Sequence, residues 1–154
     1  MFILLFTGDL IMMSISTKGR YALRVMIDLS EHNTGDYIPL SDIAKRQDIS
    51  EKYLESIVSM LSKNGLVSSL RGKGGGYKLN RAPDEYTVLD ILTVTEGSLA
   101  PVACLDKPVN KCNRAANCKT LRMWKAFYKN ITDFFGSITV ADLVKDDNSG
   151  DYII

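Results

Sequence analysis

Five residues, Gly72-Lys73-Gly74-Gly75-Gly76, constrain this chain more than any others. Glycine without a β-carbon enters backbone conformations that side chains forbid, so the run marks a tight reversal. The flanking segments, residues 66–70 and 77–79, read as short strands, which makes the run the tip of a hairpin. That tip carries two cations, Arg71 and Lys73. The rival reading is a loop that cradles a nucleotide phosphate. Such a loop needs a helix opening directly after the glycines and a Lys-Ser or Lys-Thr pair for magnesium. Here a strand-like segment follows, and the pair is missing.

What precedes the hairpin is helical. Tyr21, Val25 and Leu29 recur every four residues, and Ala22, Leu23, Met26 and Ile27 widen the apolar stripe. Asn33-Thr34-Gly35-Asp36 is turn chemistry that stops this helix. Ser41 is placed to cap a short helix over residues 42–47, with Ile43 and Ala44 facing inward. The turn Asp48-Ile49-Ser50 leads to a helix over residues 51–64, with Leu54, Ile57, Val58 and Leu61 on its apolar face. Gly65 stands where a left-handed cap belongs. Two short helices, a tight turn and then a hairpin give the order of a winged helix-turn-helix. In that architecture the second helix enters the major groove of DNA and the hairpin reaches phosphates or the minor groove.

Composition neither adds to this nor opposes it. The 154 residues are 45% hydrophobic and carry a formal charge of +1. Residues 14–80 hold ten basic and seven acidic side chains, a local excess of +3 and weak support for a polyanion partner. Enzyme chemistry finds no footing: there is one histidine, His32, with no nucleophile elbow and no clustered carboxylates at helical spacing. Residues 1–12 are apolar but too short to span a bilayer. They lack a basic lead and a cleavage site, so they make a poor export signal. An extension from an upstream start, with the working protein beginning near Met13, is the expected reading. A packed amphipathic helix is the alternative. A cytoplasmic location with no membrane partner follows from this reading.

All three cysteines, Cys104, Cys112 and Cys118, fall in one fifteen-residue stretch. Three thiols cannot all pair internally, and in a reducing compartment such a cluster reads as soft metal ligands. The spacing lacks the Cys-x2-Cys knuckle of zinc modules, which leaves an iron–sulfur cluster as the better fit. Incidental surface thiols are the alternative. Around this stretch, Thr87 and Asp90 form a capping-box pattern opening a helix to Glu96, and Thr139 and Asp142 form another. Residues 97–119 read as loop. A long helix over residues 120–135 carries Leu121, Trp124, Tyr128, Ile131 and Phe135 on one stripe. So much aromatic surface calls for a partner, and a second copy of the chain is favoured over the chain's own core. The expected fold is therefore mostly α with a small β-hairpin. Its division is a winged-helix domain over 13–82, a helix and cysteine loop over 83–119, a dimerisation helix and short helix over 120–145, and a tail over 146–154.

The segments Ile15-Ser-Thr-Lys-Gly-Arg-Tyr-Ala-Leu23, Ile49-Ser-Glu-Lys-Tyr-Leu-Glu55 and Lys63-Asn-Gly-Leu-Val-Ser-Ser-Leu-Arg-Gly-Lys-Gly-Gly-Gly-Tyr77 closely resemble the bacterial IscR-type regulators. That family also contains NsrR, RirA and CymR. The resemblance implies a homodimeric transcription factor on double-stranded operator DNA, with a 2Fe–2S or 4Fe–4S cluster on Cys104, Cys112 and Cys118. It implies DNA contacts from Ser50, Lys52, Tyr53 and Ser56 and from Arg71 in the wing, with Glu55 influencing operator choice. Lys73 joins them as the second cation of the tip. Two departures stand out. The first gap between cysteines is longer than the family's usual five residues. The position three residues past the last cysteine, a histidine in one branch, is here Leu121. His32, Asp28 and Asp106 are candidates for a fourth ligand. A second reading is a CymR-like repressor of cysteine and sulfur metabolism, governed by a regulatory partner protein and holding no cluster.

Overall fold

The computed structural model describes residues 14–145. The two readings of residues 1–12 and the polar tail over 146–154 lie outside the described residues. Six α-helices and one hairpin make up the fold among them: α1 (Thr17–Glu31), α2 (Leu40–Gln47), α3 (Glu51–Lys63), β1 (Val67–Leu70), β2 (Gly76–Leu79), α4 (Val88–Glu96), α5 (Leu121–Gly136) and α6 (Val140–Lys145). The mostly helical winged architecture expected from the sequence is the one observed.

Helix α1 is the hub. Its inward residues Ala22, Val25, Met26 and Leu29 are buried against Ile43 of α2, Leu54, Ile57, Val58 and Leu61 of α3, and Ile91 of α4. Fully burying one such aliphatic side chain is worth about 1.5–3 kcal/mol, so this cluster holds the four helices together. Ser16 caps α1 by accepting the Gly19 N–H at 3.0 Å.

Helix α2 begins earlier than the sequence suggests. The amides of Asp42 and Ile43 bond the carbonyl of Pro39 at 3.1 and 3.4 Å, so Pro39 is the cap residue and Ser41 lies inside the first turn. Backbone closure over Pro39, whose φ is −58°, overrides the preference of serine for the cap position. The turn to α3 uses Asp48 in the left-handed region, φ 53°, with Ile49 buried beneath it and Ser50 capping α3.

Strands β1 and β2 pair antiparallel, Val67 opposite Leu79 and Leu70 opposite Gly76. The wing is anchored to the helices as well. Ile38 and Tyr77 exchange backbone hydrogen bonds, both 2.9 Å, just before α2. Gly76 makes that approach feasible, since a β-carbon there would stand 2.1 Å from the Ile38 carbonyl oxygen.

Two core residues sit where the sequence shows only turns and helix ends. Tyr86 is fully buried. Its hydroxyl donates to the Leu66 carbonyl at 2.9 Å and accepts the Asn80 and Arg81 N–H groups at 2.8 and 2.9 Å. It therefore ties the strand ends to the start of α4. Val140 of α6 is also fully buried, which brings the end of the described chain back onto the hub. Both predicted capping boxes form, Thr87 with Asp90 and Thr139 with Asp142.

Candidate functional site

Helix α3 presents a polar face because its apolar residues are committed to the hub. Ser50, Lys52, Glu55 and Ser56 are exposed on it, as is Tyr53 at 37%. A groove runs between this face, the start of α2 and the wing. Lys52, Glu55, Ser56 and Arg71 line it, so four of the seven DNA-contact residues expected from the sequence converge there. Ser50, Tyr53 and Lys73 do not line it. Ser50 is occupied as the α3 cap, accepting the Tyr53 N–H at 3.3 Å. Lys73 is exposed at the wing tip.

Sequence reasoning missed Ser41, Ser59, Lys63 and Ser69, which line the same groove. Helical spacing could have found two of them, because Ser59 and Lys63 continue the 52, 55, 56 face by steps of three and four. The hydroxyl, ammonium and guanidinium groups among its lining residues suit phosphate oxygens, beside the two carboxylates Glu51 and Glu55.

Behind α3 lies a polar network. Asp28 of α1 is fully buried and takes a two-pronged contact from Arg46, Nε at 3.0 Å and Nη2 at 2.7 Å. Gln47 Nε2 donates to the same carboxylate at 2.9 Å. The buried carboxylate holds Arg46 more firmly in its charged form, chiefly through the hydrogen bond. With both oxygens engaged, Asp28 is not available as a metal ligand. His32 is the α1 C-cap, with Nδ1 2.9 Å from the Asp28 carbonyl oxygen. It stands at the end of α1 opposite the Ser16 cap that Glu96 bonds, about 22 Å along a 15-residue helix. Neither it nor Asp28 lies in a group of three potential metal ligands among the described residues. Asp106 is exposed at the end of the first 3-10 turn of the loop.

The cysteine loop, residues 97–119, contains two 3-10 turns, Ala103–Leu105 and Ala115–Asn117. Cys104 and Cys118 are half-buried, Cys112 is exposed, and all three are free thiols. Among the described residues, no three of His, Cys, Asp and Glu come together in a way that would hold a metal ion. The Cys118 thiol is lowered below its ordinary value, first by the Thr120 hydroxyl at 3.4 Å and then by the Thr120 and Leu121 amides. Asn110 accepts the Cys112 N–H through Oδ1 at 2.9 Å, while its Nδ2 is buried without a partner. The loop is tied to the hub at its front edge. Glu96 accepts the Ser16 hydroxyl at 2.7 Å and the Ser16 N–H at 3.3 Å.

Helix α5 has no buried residue over its 16 positions. The predicted stripe Leu121, Trp124, Tyr128, Ile131 and Phe135 is half-buried, while Met123, Phe127 and Phe134 on the neighbouring face are 53%, 41% and 57% exposed. Among the described residues, no helix is long and apolar enough to cross a membrane.

Comparison with known proteins agrees with this geometry. Residues 15–146 match the Rrf2 family, described as iron-dependent transcriptional regulators. The chain is 41% identical over 133 residues to the HTH-type transcriptional regulator IscR of Xenorhabdus nematophila, covering 86% of this chain and 80% of that one. It is also 41% identical to the IscR of Erwinia tasmaniensis, over 86% and 79% of the two chains. Among solved structures it is similar to T. potens IscR, with 39% identity, a TM-score of 0.68 and 88% of each chain covered. It is similar as well to CymR, the global cysteine regulator of B. subtilis, with 36% identity, a TM-score of 0.70, and 89% and 100% covered. These relatives are regulators and not enzymes, in keeping with the missing catalytic constellation. This chain belongs to the Rrf2 family of winged-helix, DNA-binding transcriptional regulators.

Proposed function

We propose that this regulator reads iron–sulfur status through Cys104, Cys112 and Cys118, and transmits it to operator DNA as a homodimer. The observation that carries the reading is three free, accessible thiols on one loop whose front edge is bonded to α1. The donor set fits a 2Fe–2S or 4Fe–4S cluster: soft sulfur ligands, one of them already shifted toward thiolate. When bound, such a cluster supplies redox-sensitive iron whose presence changes with iron supply or oxidants. Closing the loop around it is part of binding, because metal sites seldom exist fully formed beforehand. The protein's own residues do the rest. The chain spanning 13–82 reads DNA through Lys52, Tyr53, Glu55, Ser56 and Arg71, with Ser50 and Lys73 at the margins. The loop over 83–119 senses, and the helices over 120–145 pair with a second copy. Pairing is supported by the uncovered aromatic surface of α5, and Trp and Tyr are frequent anchors at such interfaces.

Anaerobic purification tests the sensing directly. The expected product is coloured and holds iron and acid-labile sulfide in cluster proportion. Each of Cys104→Ala, Cys112→Ala and Cys118→Ala loses the colour yet stays folded and dimeric. Each also shifts operator preference in the direction that iron removal shifts the wild type. A colourless wild-type protein that binds DNA alike with and without iron overturns the reading.

A further inference from the structure

The polar network around Asp28 extends to the one aromatic ring on the exposed face of α3. Tyr53 meets the ring of Tyr21 edge-on, with centroids 5.8 Å apart and planes at 74°. The Arg24 guanidinium lies over the Tyr21 ring, 5.1 Å from its centroid. Arg24 in turn is held by Gln47, donating through Nε to Oε1 at 3.0 Å and through Nη2 to the backbone carbonyl. The other end of the Gln47 amide is held by the buried carboxylate of Asp28. Each member of the series is thus held by the next, and the series runs from the exposed Tyr53 to the fully buried Asp28.

We propose that Tyr21 and Arg24 are positioning residues for sequence reading: they set the Tyr53 ring, and with it the entry of α3 into the groove. The inference rests on the reading that the Tyr53 face of α3 meets DNA. Tyr21 is half-buried: it packs against the hub and its ring also meets Tyr53 edge-on, so the one side chain links the core to the outer face of α3. An aromatic edge and a cation over a ring are both direction-dependent contacts, unlike the aliphatic packing beneath them. Brace residues of this kind act on discrimination between sequences, because phosphate contacts tolerate small shifts that base contacts do not.

The test uses the full-length protein, an operator enriched by the wild type from random duplexes, and an unrelated duplex of equal length at the same salt. Tyr21→Ala is expected to weaken operator binding by about three- to tenfold while leaving the unrelated duplex unchanged. Tyr21→Phe keeps the ring and restores wild-type discrimination, and Arg24→Gln falls between the two. The double variant Tyr21→Ala with Tyr53→Ala binds no worse than Tyr53→Ala alone, since both act through one ring. Equal losses on both duplexes, or fully additive losses in the double variant, overturn the inference while leaving the α3 reading intact. Tyr53→Ala without any effect on operator affinity overturns that reading and the inference together.

Discussion

Replacing Gly76 by alanine separates the wing from the body of the protein, and the structure gives the size of the effect. The new β-carbon would stand 2.1 Å from the Ile38 carbonyl oxygen, 2.4 Å from its carbon and 2.8 Å from the Pro39 nitrogen. All three are backbone atoms, so no flexible side chain can yield. The wing has to retreat, which breaks the two 2.9 Å hydrogen bonds between Ile38 and Tyr77. Net losses of about 1 kcal/mol per bond give roughly 2 kcal/mol. The backbone itself, at φ +149°, adds about 1–3 kcal/mol for any residue with a side chain. The expected destabilisation is therefore about 3–5 kcal/mol, with weaker operator binding because Arg71 moves with the wing. Gly74→Ala is the control: φ is +75° but no atom lies within 4 Å, so only about 1–2 kcal/mol of backbone cost remains. Urea unfolding reads the stability and fluorescence anisotropy reads the operator affinity. A Gly76→Ala protein no less stable than the Gly74→Ala protein would refute the close-approach argument.

Four further outcomes are expected. Arg71→Ala weakens operator binding by about 1–3 kcal/mol without changing the thermal midpoint, and unchanged affinity in the same anisotropy assay removes the wing from recognition. Gly19→Ala costs about 1–2 kcal/mol in urea, since its β-carbon would lie 2.2 Å from Glu96 Oε1 and displace the Ser16 hydrogen bonds. If Glu96→Gln already abolishes that sensitivity, the loss is electrostatic and not steric. Asp28→Ala costs about 3 kcal/mol, the lower end for a broken buried pair because the Arg46 side chain is 32% exposed and can find water. The Asp142 carboxylate is held below its ordinary range by the Thr139 amide and hydroxyl. A lowered folded value means its contribution is present above the ordinary carboxylate range and is lost as pH falls through the lowered value. The melting curves of wild type and Asp142→Asn therefore differ at neutral pH and converge in acid, and a constant gap across pH contradicts the assignment.

Much of this fold was legible because its signals are local. The capping boxes at Thr87 and Thr139 and the stripes of α1 and α3 depend on neighbours within four residues, and the hairpin at the glycine run pairs residues no more than twelve apart. The start of α2 was not legible, since Ser41 has the chemistry of a cap while Pro39 supplies the carbonyl that closes the first turn. Tyr86 and Val140 escaped for a different reason. Their burial is created by partners beyond the reach of one helical turn: Asn80 and Leu66, six and twenty residues from Tyr86, and the hub. A tyrosine at the end of a turn carries no local mark of the three hydrogen bonds its hydroxyl makes.

The functional residues divide along the same line. Lys52, Glu55, Ser56 and Arg71 are legible through the resemblance to the IscR-type regulators, and they line one groove because the first three share a helical face and the wing brings Arg71 to it. The cysteines differ, because their residue type speaks of soft ligation while their positions in the fold do not bring them together. That division is physical and not a failure of pattern. Free thiols on a loop held at its front edge by Glu96 and at its rear by the start of α5 have no apolar core to gather them. The bonds that would gather them are those to the iron itself, whose free energy becomes folding energy for the loop. A sensor gains from this arrangement. A preformed thiol cage would bind metal whatever the supply, whereas thiols that a ligand must draw together would couple occupancy to loop shape. Under the proposed sensing, a shape change on binding would fall between α1, which packs under α3, and α5, which carries the uncovered aromatic face. Those are the two surfaces through which the proposed signal would reach DNA and a second copy.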